Sequence, residues 1–409
     1  MDISNIYDAK EVLKDVISKT PLVHADKLHE NLWIKAENLQ GTGAFKLRGA
    51  YHKLHSLTQK EREKGVIAAS AGNHAQGVAY SCMKMGIKGT IVMPKTAPLS
   101  KIEATRSYGV AVELQGDTFN DAYEYAKNLQ EITGAVFVEP FDDEYVIAGQ
   151  GTIGLEILDK LSDVDTVIVP IGGGGLISGI AVAIKAMRPS CRIIGVQSEH
   201  APSMKQSLEK KEIIKLQNVS TIADGIAVKT PGKLTYKLCS KYVDEVVTVS
   251  EEEIAAAILT LLEKMKMVAE GAGATSVAAA MFGKVDLKHH KCVAVLSGGN
   301  IDVNLLSKII DLGLMKTGRK AVINMNVMDK PGNLSRMIEL ISRTGANIIS
   351  VNHNRIQNAM LFNQCRVGVI IETNDNKHIA DVLAILKNNG YTRIWSSMSD
   401  IYIDADGCP

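Results

Sequence analysis

"DTVIVPIGGGGLISGIAVAIKAM", residues 165–187, passes from one kind of order to another through four consecutive glycines. Its first part, 165–172, is an uninterrupted apolar run of strand length. Its last part, 176–187, is an apolar segment of helix length. A strand without polar alternation must be covered on both faces, as in a parallel sheet between helix layers. The same alternation extends both ways along the chain. Strands are expected at 65–70, 89–94, 111–115, 191–199 and 291–299, and helices at 74–85, 99–109, 119–134 and 251–267. The helix at 251–267 opens on Glu251-Glu252-Glu253 and closes on lysines, which suits its dipole. The fold class is therefore α/β with open parallel sheets.

The glycines Gly172, Gly173, Gly174 and Gly175 leave backbone N–H groups uncovered just before a helix start. Uncovered N–H groups and the positive end of a helix dipole make a phosphate cradle without a basic residue. A tight strand-to-helix turn would use the same residues. A Walker loop is excluded, because no Gly-x-x-x-x-Gly-Lys-Ser/Thr is present. A dinucleotide site stays open at this point: Gly173-x-Gly175 precedes a helix, and Glu199 ends the next strand.

Three further stretches narrow the choice. "ASAGNHAQG" (69–77) places Ser70, Asn73 and His74 at the carboxyl end of a strand, where open α/β sheets bind ligands. Helix capping by Ser70 or Asn73 is the plain alternative. "LSGGN" (296–300) puts Ser297 at the same edge, where it also suits a turn. "GTGAFKLRGAYHKL" (41–54) sets Lys46 between Phe45 and Arg48 after a flexible run, a setting no solvated lysine needs. A lysine for a Schiff base, N–H donors for a phosphate and a serine for a ring nitrogen together suit pyridoxal 5′-phosphate. A nicotinamide enzyme gives Lys46 no obvious work.

Bulk properties exclude other classes. The 409 residues suggest more than one domain, and 46% hydrophobic content supports large cores. A formal net charge of +1, without basic or acidic blocks, gives no sign of nucleic-acid binding. Cys82, Cys191, Cys239, Cys292, Cys365 and Cys408 are scattered and outside metal-binding spacings, as free thiols of a reducing cytosol would be. No stretch approaches a membrane span, and the acidic N-terminus lacks a signal core, so a cytoplasmic protein is expected.

The pattern changes near residue 318. A basic link over 311–320 is expected, followed by βαββαβ: strand 321–329, helix 332–345, strands 347–356 and 361–372, helix 375–390 and one last strand, 392–403. That order is ferredoxin-like. Two domains follow, 1–318 and 319–409.

"GTGAFKLRGA", "SAGNHAQGVA", "GGGGLISG" and "LSGGN", in this order and spacing, resemble the fold-type II pyridoxal-phosphate enzymes. Within these, the chain resembles the biodegradative L-threonine ammonia-lyases (threonine dehydratases) over residues 1 to about 318. The resemblance implies a tryptophan synthase β-like fold and deamination of L-threonine to 2-oxobutanoate and ammonia, and of L-serine to pyruvate. A serine racemase/serine dehydratase is the alternative it leaves.

The same resemblance implies roles. Lys46 is the Schiff-base lysine and the base for the Cα proton, with Phe45 packed beside the cofactor. Asn73 binds the ring hydroxyl. Gly172 to Gly175 and Leu176 hold the phosphate, which serves as acid for the β-hydroxyl. Ser297 meets the ring nitrogen, and Ser70, Ala71, Gly72, Asn73 and His74 line the substrate carboxylate site. Ala71 stands where related racemases carry a proton-shuttling serine, so weak or absent racemisation is expected. Gln197 and Ser203 stand at the racemases' acidic metal ligands, so no such metal site is expected. The tail, with "DKPGNLSRMIELISRTGANI" (329–348), resembles an ACT domain, an amino-acid-sensing module. Asp329, Gly332, Asn333 and Leu334 would seat an effector carboxylate. Isoleucine or valine is the first candidate effector and a nucleotide the second. ACT pairing implies a homodimer or homotetramer.

Overall fold

The computed structural model describes residues 1–355 and 363–391 and the strands Ile394–Ser396 and Ser399–Ile403. The chain divides into two compact units, Met1–Leu306 and a second beginning at Ser307.

In the first unit the strands are β1 (Leu22–His24), β2 (Leu32–Ala36), β3 (Val66–Ala69), β4 (Gly89–Met93), β5 (Ala111–Leu114), β6 (Val136–Phe137), β7 (Thr166–Pro170), β8 (Arg192–Ser198), β9 (Glu245–Val249) and β10 (Cys292–Leu296). They build two sheets. One has the order β1-β2-β10-β7-β8-β9 and the other β5-β4-β3-β6. Every pairing is parallel except β1 on β2, an antiparallel edge. β3, β7 and β10 are buried along their whole length, because helices cover both faces. Val167, Val169, Ile171, Ile177, Ile180 and Val293 share one core of the larger sheet. Val66, Ala68, Val78, Ile91 and Met93 share one of the smaller.

Glycine sets how closely the covering helices approach. Helix Gly175–Met187 meets helix Glu144–Lys160 backbone to backbone: a Cβ on Gly179 would lie 2.3 Å from the Ile147 carbonyl oxygen. The glycine turn and the helix beneath it are thus pinned to the rest of the unit. The helix expected over 251–267 is α-helical for Glu251–Thr260 and then widens into a π turn, Leu261–Met265.

The second unit holds β11 (Lys320–Met328), β12 (Asn347–Asn354), β13 (Gln364–Glu372), β14 (Ile394–Ser396) and β15 (Ser399–Ile403), in the order β12-β13-β11-β14-β15. β11 and β13 alternate between buried and half-buried residues, as strands with one covered face do. Ile323, Met325, Val367 and Val369 meet Met337, Ile341, Ile379 and Val382 from the helices Asn333–Arg343 and Asn376–Asn388. The order β12-β13-β11-β14 is that of a ferredoxin-like sheet.

Two expectations fail here. The link expected at 311–320 is mostly the end of a helix, Val303–Lys316. Ile309 and Gly313 are buried on one face, and that packing outweighs the roughly 1 kcal/mol that a helical glycine costs. The single strand expected at 392–403 is the antiparallel pair β14 and β15, with 392–393 and 397–398 outside the described residues.

Candidate active site

Lys46 opens the helix Lys46–His55 at the edge of the larger sheet. Two contacts anchor the segment before it. The Phe45 N–H donates to the Ser297 carbonyl (3.1 Å), and Ala44 bridges Gly298. From the other side, Gly77 of helix Asn73–Met85 lies so close that a Cβ there would be 3.1 Å from the Lys46 carbonyl carbon. The Lys46 amine donates to the Pro140 carbonyl (2.5 Å) and forms no ion pair among the described residues. Burial pushes its pKa down to about 8, against the pull of the Glu270 carboxylate. A half-buried amine with a lowered pKa and without a bound carboxylate is available for chemistry.

The glycine turn faces the same place. Phe141, next to Pro140, packs on it, and a Cβ on Gly173 would lie 2.4 Å from the ring. Gly174 has φ +98°, a left-handed conformation that strains other residues. The Thr235 hydroxyl donates to the Gly173 carbonyl (2.6 Å) and fixes the turn. The N–H groups of Gly172, Gly173 and Gly174 donate to no protein acceptor among the described residues. Leu176 points its side chain into the core, so only its backbone is offered to a phosphate.

The third element is the start of helix Asn73–Met85. The Gly72 N–H donates to the Ser70 hydroxyl (3.2 Å), a local turn. The N–H groups of Ala71, Asn73 and His74 have no protein acceptor among the described residues, and an anion fits there. The His74 ring is otherwise engaged. It bonds the Val138 carbonyl (2.9 Å), and burial, then the Lys46 charge, push its pKa down to about 3. Its side chain therefore acts as a neutral core group, and its backbone alone lines the site. The Ser297 hydroxyl, 3% exposed as a residue, has no protein partner among the described residues.

Glu270 and Asn300 were not foreseen. The Asn73 Nδ2 donates to Glu270 Oε1 (2.6 Å), and the Asn300 Nδ2 donates to Asn73 Oδ1 (2.8 Å). The role of Arg48 is structural. Its guanidinium is fully buried and donates to Glu37 (2.8 and 2.8 Å), Glu156 (2.7 and 3.0 Å) and the Thr152 hydroxyl (3.0 Å). Lys35 adds a bond to Glu156 (2.6 Å). Burial opposes the Arg48 charge, but Glu37 and Glu156 outweigh it and hold the pKa above the usual range. This network clamps the helix that carries Lys46.

In the second unit, Asp329 is ion-paired with Arg355 (3.1 Å), and Gly332 (φ +88°) precedes helix Asn333–Arg343. The Asn333 N–H was expected to be free for a ligand. It donates to the Lys330 carbonyl (3.3 Å), because the chain turns tightly there. The Leu334 side chain packs on the unit's core. One group among the described residues has metal-ligand types in reach of one another: Asp329, His353 and Cys365. Cys82, Cys191, Cys239, Cys292 and Cys365 are buried free thiols, and Cys408 lies outside the described residues. No described helix is long and apolar enough to cross a membrane.

A half-buried amine, a loop of unclaimed N–H groups and an uncommitted hydroxyl lie together here, and this donor set fits pyridoxal 5′-phosphate. The family model described as "Pyridoxal-phosphate dependent enzyme" matches residues 13–298. An L-threonine ammonia-lyase of Thermotoga maritima is 52% identical over 95% of this chain and 98% of its own. The processed form of threonine deaminase isoform 2 from Solanum lycopersicum superposes with TM-score 0.73 at 42% identity, over 76% of this chain and 87% of that one. Maize serine racemase superposes with TM-score 0.72 at 35% identity, over 77% and 98%. The chain belongs to the pyridoxal-phosphate dependent enzyme family, within its threonine ammonia-lyase group.

Proposed function

We propose that this chain deaminates L-threonine to 2-oxobutanoate and ammonia, and L-serine to pyruvate and ammonia. The observation that carries the reading is the Lys46 amine: half-buried, unpaired by carboxylate among the described residues, and hydrogen-bonded to Pro140 beside the Phe141 ring that packs on the glycine turn. Gly172 to Gly175 and the Leu176 backbone hold the cofactor phosphate. Ser297 meets the ring nitrogen, Asn73 the ring oxygen, and Phe45 keeps water from the amine. The bound cofactor supplies an electron sink for the pair left when the Cα proton departs.

The protein's part follows from its own groups. The N–H groups of Ala71, Asn73 and His74 hold the substrate carboxylate and turn its Cα–H bond toward Lys46. Lys46 removes that proton when its amine is neutral. Loss of the β-hydroxyl as water then leaves an enamine, which tautomerises and takes up water to release ammonia. A hydroxyl such as Ser297 would not protonate the ring nitrogen, and the cofactor would then supply a weaker electron sink, which favours elimination over racemisation. Ala71 offers no proton on the opposite face.

The second unit we read as an ACT-type regulatory module, supported by its ferredoxin-like strand order. Asp329, Gly332, Asn333 and Leu334 surround its effector seat, and an amino acid is the effector. The functional division is a catalytic part to about residue 318 and a regulatory part beyond it. We place the enzyme in the cytoplasm as a homodimer or homotetramer. Incubation of the protein and pyridoxal 5′-phosphate with L-threonine tests the reading: 2-oxobutanoate and ammonia in equal amounts are expected, and no product overturns it.

A further inference from the structure

Glu270 is a buried acid that the proposed reaction does not use. It is 5% exposed and immediately precedes helix Gly271–Met281. Its backbone N–H donates to the Gly298 carbonyl (3.2 Å), which fixes it beside Ser297. Small residues make room for its carboxyl: a Cβ on Gly298 would lie 2.4 Å from Oε1, and one on Gly225 3.7 Å away. Burying a carboxyl without a close cation is costly, so its retention calls for a cause.

We propose that Glu270 is a positioning residue of the active site, which orients the Asn73 amide toward the cofactor. The proposal rests on the pyridoxal-phosphate reading above.

The role follows from hydrogen-bond polarity. The Asn73 Nδ2 edge faces Glu270 and donates to its Oε1 (2.6 Å). The opposite edge is fixed as well, because Asn300 donates to Asn73 Oδ1 and to the Thr42 carbonyl (2.8 Å each). Held on both edges, the amide cannot flip. One of its two Nδ2 hydrogens is spent on Glu270, and the other remains for a ring oxygen. Without the carboxylate, Asn300 alone holds the amide, and its Nδ2 edge is no longer fixed toward the ring oxygen.

Two variants of the full chain, Glu270→Gln and Glu270→Ala, test the role. Cofactor affinity is read from visible absorbance during dilution. Glu270→Gln keeps an acceptor for Asn73, so its cofactor affinity stays close to that of the unmodified protein. Glu270→Ala holds the cofactor about tenfold more weakly. Unchanged affinity in Glu270→Ala, or an equal loss in Glu270→Gln, overturns the orienting role. If the unmodified protein binds no pyridoxal phosphate, it is the functional reading that fails.

Discussion

Replacing Arg48 by alanine tests whether its buried network, rather than Arg48 itself, serves the site. The change removes five side-chain hydrogen bonds and leaves Glu37 and Glu156 facing each other with only Lys35 nearby. Breaking a buried ion pair from one side costs about 3–5 kcal/mol. At about 2–4 °C per kcal/mol for a large domain, the thermal midpoint should fall by about 6–20 °C. The loss should also depend on pH. In the intact protein Arg48 and Lys35 outweigh burial and hold the Glu156 carboxyl below its usual range. That contribution is present above the unfolded carboxyl value and is lost as pH falls. In Arg48→Ala burial is no longer outweighed at Glu156, whose carboxyl then titrates above that value, so the folded state binds the extra proton and stability falls as pH rises. The deficit should therefore be large at pH 8 and smaller at pH 5, where protonating one carboxyl costs only about 1 kcal/mol. Scanning calorimetry at both pH values, with saturating cofactor throughout, measures it. A drop below about 2 °C at pH 8, or an equal drop at both pH values, would refute the reasoning. Arg48→Lys should fall between, because an ammonium cannot reproduce the two-pronged contacts.

Other outcomes follow from the site. In cofactor-free protein, the Lys46 amine should acylate with a midpoint near pH 8, below the 10.5 of an ordinary lysine; a midpoint at or above about 10 would contradict this. His74 is neutral down to about pH 3, so His74→Gln should leave the shape of the pH–rate profile unchanged. Ala71→Ser should add slow formation of D-serine from L-serine, read by chiral chromatography, to a protein that makes little or none. Isoleucine or valine should change the turnover of the full chain and not of a Leu334→Asp variant, whose effector seat and core contact are both spoiled.

The glycine turn, the Lys46 segment and the strand-end serine were legible because each is local. A buried strand and the turn that ends it occupy adjacent residues, and their chemistry shows in one short stretch. What was not legible depends on distance along the chain. Glu270 sits among glycines and alanines and has meaning only beside Asn73, 197 residues away. Arg48 looked like part of the lysine's setting until Glu37 and Glu156 were found around it. His74 carries a chemically versatile ring, yet the Val138 carbonyl takes it up, and only folding brings that carbonyl near. The helix through 311–316 was missed because glycine and basic residues read as a link, whereas Leu306, Ile309 and Gly313 share one helical face.

The central claim is that one lysine of this chain carries the cofactor. Borohydride reduction of the cofactor-loaded protein, followed by peptide mass mapping, tests it most directly. The account predicts a single pyridoxyl label, on the peptide containing Lys46, and no label in Lys46→Ala. A label on another lysine of the native protein, or a labelled site that survives Lys46→Ala, would contradict it.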